Sequence, residues 1–315
     1  MSEKKMWGDK PYYSLDYYLK ETFGRKIYKI SLNAGLTCPN RDGTLGINGC
    51  IFCSEGGSGD FSASPSLSIT SQIEEAKNRV SAKLPAGQKN ADETGQASFI
   101  AYFQAYTNTY GEISFLRKIF YEAIYNEDIV LLSIATRPDC LGEEVLALLS
   151  ECAGIKPLWV ELGLQTIHED TAKFIRRGYP LSVFEKAVRD LNNIGAKVIV
   201  HMILGLPGES PSGMLSSMDY LGRQQIHGVK LALLHVLKNT ELAAIPYEAL
   251  TLEEYTNLLL ACIERLPQNI VIHRLTGDGP KKLLLAPLWS SNKKLVLNFI
   301  RKEMKVRDSW QGKML

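Results

Sequence analysis

No stretch of the 315-residue chain approaches the ~20 consecutive apolar residues that a membrane-spanning helix requires. The opening MSEKKMWGDKPYY has basic residues with no apolar segment behind them, so a soluble, unexported, cytoplasmic chain is expected. Cysteine is scarce, with six residues in all. A core of this size needs no disulfides and a reducing cytosol disfavours them, so the spacing of those cysteines matters more than their number. No internal repeat is present beyond an alternation of strand-like and helix-like segments. With 45% hydrophobic and 22% charged residues and a mean hydropathy of -0.08, disorder and fibrous architectures are excluded, and the length allows one large domain or two smaller ones.

The net charge is also small, at +2, but it is unevenly spread. Residues 1–30 carry seven Lys/Arg against four Asp/Glu and residues 265–315 carry eleven against three, which leaves an acidic body between them. A basic C-terminal segment behind an acidic body suits a polyanionic partner; it equally suits a solvated surface.

Six short apolar runs, 26–32, 98–103, 129–135, 158–162, 197–204 and 229–236, read as buried parallel strands. Between them, residues 69–84, 113–126, 143–152, 181–194 and 211–225 place apolar side chains at three and four spacing, as crossover helices do. This predicts an α/β fold, a partial (β/α)6 TIM-type barrel with a small C-terminal α+β extension, in which chemistry belongs at the C-terminal strand ends. Residues 1–25 form an N-terminal extension, 26–246 the barrel and 247–315 a basic C-terminal region. Within the last, Thr251 and Glu254 form a capping box opening a helix over 252–266, residues 270–275 are strand-like, Gly277–Gly279 is a turn, and 293–305 is a basic helix. The Ser/Gly-rich stretch 54–70 and the aperiodic polar stretch 84–97 break the pattern, the second as a surface loop.

Directly after the first strand the chain reads ISLNAGLTCPNRDGTLGINGCIFCSEGGSGDF, which separates Cys38, Cys50 and Cys53 by eleven and then two residues. Two cysteines at the shorter spacing can bite one metal or cluster, and the glycines at 43, 46 and 49 let the chain fold back so that Cys38 joins them. Structural zinc wants four ligands, and the next cysteine, Cys140, lies at the end of the third strand. A four-iron cluster on three thiolates would leave one iron open. Three small core side chains are the remaining reading, though free cysteine prefers buried regular elements to loops.

With VELGLQT at 160–166, IRRGY at 175–179 and HMILGLPGE at 201–209, this cysteine loop resembles the radical S-adenosylmethionine (SAM) enzymes. The likeness is nearest to the YhcC/YtqA-like subgroup with its lengthened C-x11-C-x2-C spacing, and more distant to elongator-type tRNA-modifying enzymes and coproporphyrinogen dehydrogenases. It covers roughly residues 25–240 as the shared core, whereas most of the superfamily spaces these cysteines x3 and then x2.

The resemblance implies a [4Fe-4S] cluster on Cys38, Cys50 and Cys53, its open iron chelated by SAM, with Phe52 shielding it. It implies a SAM pocket drawn from Gln104 and Asn108 after the second strand, Glu161 in the fourth, Arg177 of IRRGY (or Arg176 beside it), and His201 and Gly205 at the end of the fifth. Glu161 lies in an otherwise apolar run and needs a partner, either the SAM ribose or Arg177. Each of these has a structural alternative: loop ordering for Gln104 and Asn108, an ion pair for Glu161, a core histidine for His201 and for His235. The resemblance further implies reductive cleavage of SAM to a 5'-deoxyadenosyl radical, an electron donor such as flavodoxin or ferredoxin, and tRNA as substrate, with the wobble-uridine C5 side chain converted from carboxymethylaminomethyl to aminomethyl. Lys293, Lys294, Arg301 and Lys302, with Arg274 and the neighbouring basic residues, would neutralise phosphates while Trp289 and Trp310 stack on bases. A small metabolite or tetrapyrrole as substrate, and a zinc-stabilised nucleic-acid-binding barrel without catalysis, are the alternatives. The blander reading of 293–305 is a solvated helix burying Leu295, Val296, Phe299 and Ile300.

Overall fold

Strands that are apolar on both faces need cover on both sides, and crossover helices supply it on one. The computed structural model describes residues 3–57, 59–81 and 98–315; the polar stretch 84–97 and the end of the 69–84 helix lie outside the described residues. After α1 (Leu15–Phe23), strands β1 (Tyr28–Leu32), β2 (Phe99–Phe103), β3 (Ile129–Thr136), β4 (Leu158–Gln165), β5 (Lys197–Leu204) and β6 (Gly228–Leu233) follow the predicted runs. All pair in parallel in sequence order, curling into a half-barrel. The helices between them are α2 (Ile69–Ser81), α3 (Ile113–Ile124), α4 (Glu143–Ile155), the short α5 (Glu169–Phe174), α6 (Leu181–Asn193) and α7 (Pro211–Leu221).

The sheet has seven parallel strands, one more than the six expected. After β7 (Val236–Leu237) and α8 (Leu252–Glu264), the run at 270–275 forms β8 (Val271–Arg274), which pairs in parallel with β6. The C-terminal stretch thus completes the barrel wall. The 229–236 run divides, because β7 leaves the sheet to pair antiparallel with β9 (Leu284–Ala286). The Thr251–Glu254 capping box is formed as predicted. Finally α9 (Lys293–Val306) buries Val296, Ile300 and Met304, whereas Leu295, expected inward, is 49% exposed.

Side-chain alternation layers the barrel interior. Ile30, Phe103, Leu132, Val160, Val200 and Leu231 face the helices in the main core. On the other face, Ile27, Ile100, Leu131, Trp159 and Ile199 form an apolar base closed by Tyr18 and Leu19 of α1. That helix starts at Ser14, whose side chain accepts from Tyr17 N, and stops at Gly24 in the left-handed region. Two residues further along each strand, the same period brings Lys29, Tyr102, Ser133, Glu161 and His201 to the inner face above the base.

Candidate active site

The three predicted cysteines meet. Cys38, Cys50 and Cys53 border one cleft of about 250 Å³ at the C-terminal strand ends, which runs down to Glu161, His201 and Lys230. Tight turns fold the loop back: Leu45 N donates to Pro39 O (2.8 Å), Gly49 N to Asn40 O (2.7 Å) and Cys53 N to Cys50 O (3.0 Å). Asn40 Nδ2 donates to Arg176 O (2.7 Å) and Arg41 to the carbonyls of Cys53 (3.0 Å) and Ser54 (2.7 Å), fixing the loop to the segment after α5 and to itself. At Gly57, with φ +55°, a Cβ would stand 2.3 Å from the Tyr106 ring, so only glycine lets the loop pass there. Burial pushes the Cys50 thiol up to about 11 and raises that of Cys53, so loading this site requires displacing protons. Among the described residues no group of three or more His, Cys, Asp or Glu side chains is placed to hold a single metal ion. Three thiols spread around a hollow fit a multi-iron cluster, with space beside it for a second ligand, better than one tetrahedral zinc.

Glu161 does not pair with Arg177. At 1% exposure, it accepts from Lys29 and Ser133 (2.7 Å) at Oε1 and from Lys230 and His201 (2.6 Å) at Oε2. Burial would raise its carboxyl, but the charges of Lys230 and Lys29 and the His201 bond outweigh that and hold it well below the usual carboxylate range. Burial lowers both lysines, and burial together with Lys230 lowers His201 to about 4. Tyr102 lies beneath both ammonium groups, 3.9 Å from Lys29 and 4.5 Å from Lys230 at its ring centroid. Lys29 and Lys230 were not singled out in the sequence. A lysine inside an apolar strand is the same signal as Glu161, and would have found Lys230 in GVKLAL.

Of the other predicted residues, Gln104 borders the cleft and accepts from Ser31 Oγ (2.7 Å). Asn108 does not: fully buried, its Nδ2 donates to the carbonyls of Phe103 (3.1 Å) and Ala135 (2.9 Å), tying the ends of β2 and β3 together. Arg177 borders the cleft at 2% exposure, but its guanidinium already donates to Thr166 O (2.6 Å) and Tyr179 O (3.0 Å). It orders the turn after β4. Arg176 points elsewhere, to Glu241 at 2.5 Å. Arg137, missed in the sequence, borders the cleft from the end of β3 and is held by Asp139 at 2.7 and 2.9 Å.

Gly205, at φ +88°, lies on a separate cavity of about 700 Å³ between the 205–215 turn and α8, and its carbonyl accepts from Tyr247 OH (2.6 Å). His235 contacts Ser290 Oγ at 3.0 Å.

The basic residues of the C-terminal stretch divide by place. Arg274 borders the cleft rather than lying along α9 with the others. Lys293 pairs with Asp278, on the strand-end side, at 2.7 Å. Lys294, Arg301 and Lys302 are exposed along α9, which descends towards the base. Trp289 Nε1 donates to Leu250 O (3.0 Å), Trp310 lies against Lys4 and Lys313, and neither ring borders the cleft.

Residues 38–221 match the Radical SAM superfamily and residues 226–306 the Radical_SAM C-terminal domain. The chain is similar to YtqA of Bacillus subtilis (strain 168), with 40% identity covering 97% of this chain and 93% of that one. It is similar to YhcC of Escherichia coli (strain K12), with 35% identity covering 87% and 86%. Among solved structures, Methanocaldococcus infernus Elp3 superposes with a TM-score of 0.68 at 17% identity, covering 90% of this chain and 64% of that one, a likeness of fold. No helix among the described residues is long and apolar enough to cross a membrane. With a cysteine-lined cleft on a parallel half-barrel and a family match over most of its length, the chain belongs to the radical SAM superfamily, enzymes whose cofactors are a [4Fe-4S] cluster and SAM and which need a reductant.

Proposed function

We propose that this enzyme remodels the C5 side chain of the tRNA wobble uridine, from carboxymethylaminomethyl to aminomethyl, in the cytoplasm with a flavodoxin or ferredoxin as donor. The observation that carries the reading is a 27% identity over 170 residues, covering 52% of this chain and 31% of the relative, to the Methanocaldococcus jannaschii tRNA uridine(34) acetyltransferase. The basic stretch 265–315 supports it.

In this reading Cys38, Cys50 and Cys53 hold the cluster, and Gln104 with the adjoining strand-end backbone faces SAM. When bound, the pair would supply hydrogen-atom abstraction, and the carboxymethyl carbons would leave as a two-carbon oxo acid after hydrolysis by water, with the second electron returned to the bound pair. Asn108 and Arg177 serve by fixing the walls rather than by touching the cofactor, and Phe52 keeps water from the cleft. Residues 247–315 are the region that meets tRNA, chiefly through Lys293 and Lys294 near the cleft, with Arg301 and Lys302 following the backbone down α9.

The test is nucleoside analysis of tRNA from a deletion strain complemented with three forms of the gene. Wild type should restore the parental wobble nucleoside and Cys50→Ala should not. A charge-reversed Lys293/Lys294/Arg301/Lys302 variant should restore it partially, with weaker tRNA binding and a shallower salt dependence in vitro. A deletion strain whose wobble nucleosides match the parent's would refute the tRNA reading and favour a small-metabolite substrate.

A further inference from the structure

We propose that Lys230 and Arg274, on the floor of the cleft, bind a carboxylate of the substrate and so set its specificity. Which carboxylate that is rests on the preceding reading; that one is bound does not.

The argument is one of charge balance. Glu161 is the only carboxylate among the floor groups described above, and both its oxygens are engaged, Oε1 by Lys29 and Ser133 and Oε2 by Lys230 and His201. His201, lowered to about 4, adds no charge of its own near neutral pH, yet it cancels none either. Two lysines, lowered by burial but drawn back towards their charged forms by Glu161, therefore share one carboxylate. Arg274 adds a third cation: its nearest carboxylate, Asp278, stands 3.7 Å off and itself holds Lys293 at 2.7 Å. Lys230 is only 6% exposed, so water does little to offset the surplus. A buried surplus of positive charge opening on a cleft is matched when a ligand brings the missing anion.

Placement supports the same conclusion. Lys230 and Arg274 are register partners across β6 and β8, and both border the cleft, so one carboxylate can bridge them. Lys29 does not border it; it stays on Glu161 and keeps that carboxylate neutralised when Lys230 turns to a ligand. Tyr102 holds Lys230 from below, with its hydroxyl 3.2 Å from Nζ. A carboxymethylaminomethyl side chain ends in such a carboxylate and its aminomethyl product has none. The floor would thus hold the substrate and release the product.

Equilibrium binding of two free nucleosides, 5-carboxymethylaminomethyluridine and 5-aminomethyluridine, to the cluster- and SAM-loaded enzyme tests this. Wild type should prefer the acidic nucleoside by about tenfold or more, the scale of one charge-assisted contact. Lys230→Gln and, separately, Arg274→Gln should each erase most of that preference while iron content and SAM affinity stay within about twofold of wild type. Arg274 is the less buried of the two, so its variant keeps the test intact should Lys230→Gln fail to fold. No preference in wild type, a preference retained in loaded variants, or a parallel loss of SAM affinity, which would give the floor to the cofactor, each overturns the proposal. If wild type prefers the acidic nucleoside but the deletion strain has normal tRNA, the tRNA reading falls and the carboxylate floor stands.

Discussion

Four half-buried histidines make the molecule sensitive to acid in a direction that can be worked out. Burial is the first cause in each; it holds His201, His227 and His235 neutral down to about 4, where an unburied imidazole titrates near 6.5, and lowers His273 well below that value. Between those values the unfolded chain binds more protons than the folded one, so stability falls as pH drops through 6.5 towards 4. The urea midpoint of the cluster-free protein should be lower at about pH 5 than at about pH 7, and a His227→Asn/His235→Asn pair should reduce the difference, leaving the share of His201 and His273. A midpoint independent of pH over that range would contradict it. These residues also show how far single positions can be read. That Glu161 needs a partner follows from its apolar run, but the partners are 132 and 69 residues away, and only the strand register brings Lys29 and Lys230 to it. Gln104 and Asn108 are alike in type and in place after β2, and nothing in the sequence tells that one amide faces the cleft while the other ties two strand ends together.

The loop after β1 depends on one close passage. Gly57→Ala would drive a methyl into the Tyr106 ring at a backbone angle that disfavours any side chain, with no cysteine altered. A cost of about 1–3 kcal/mol is expected, together with reduced iron retention after anaerobic reconstitution. Iron content at the wild-type level with unchanged stability would show that the loop yields without disturbing the thiols. The strands themselves were easy to read, because an uninterrupted apolar run between turn residues has few other uses. The fourth residue of β8, Arg274, breaks its run, and the strand is only four residues long, so its membership in the sheet was not legible. The helix α1 was hidden for a related reason: LDYYLKETF buries only Tyr18 and Leu19, too few to give a helical stripe.

At the scale of the molecule, the barrel wall is shared by segments that the sequence places far apart. Without β8, the six strands would present the open edge of β6 to solvent, and α8 would no longer cover the helix side beside it. A chain ending at residue 246 should therefore aggregate or lack cooperative unfolding, as size-exclusion chromatography and circular dichroism would report; a soluble monomer with a sharp transition would show that 26–246 stands alone. The base is held in the same way by Gln311. Its side-chain oxygen accepts from Tyr13 N (2.8 Å), its amide donates to Pro267 O (2.6 Å) and Ile270 O (2.8 Å), and its backbone N donates to Pro11 O. During synthesis, when residues emerge one after another from the ribosome, the cysteine loop is exposed long before residue 311 exists. Until then the bonds that Gln311 makes across the base are missing, and the cysteine loop waits on a barrel that is still unfinished.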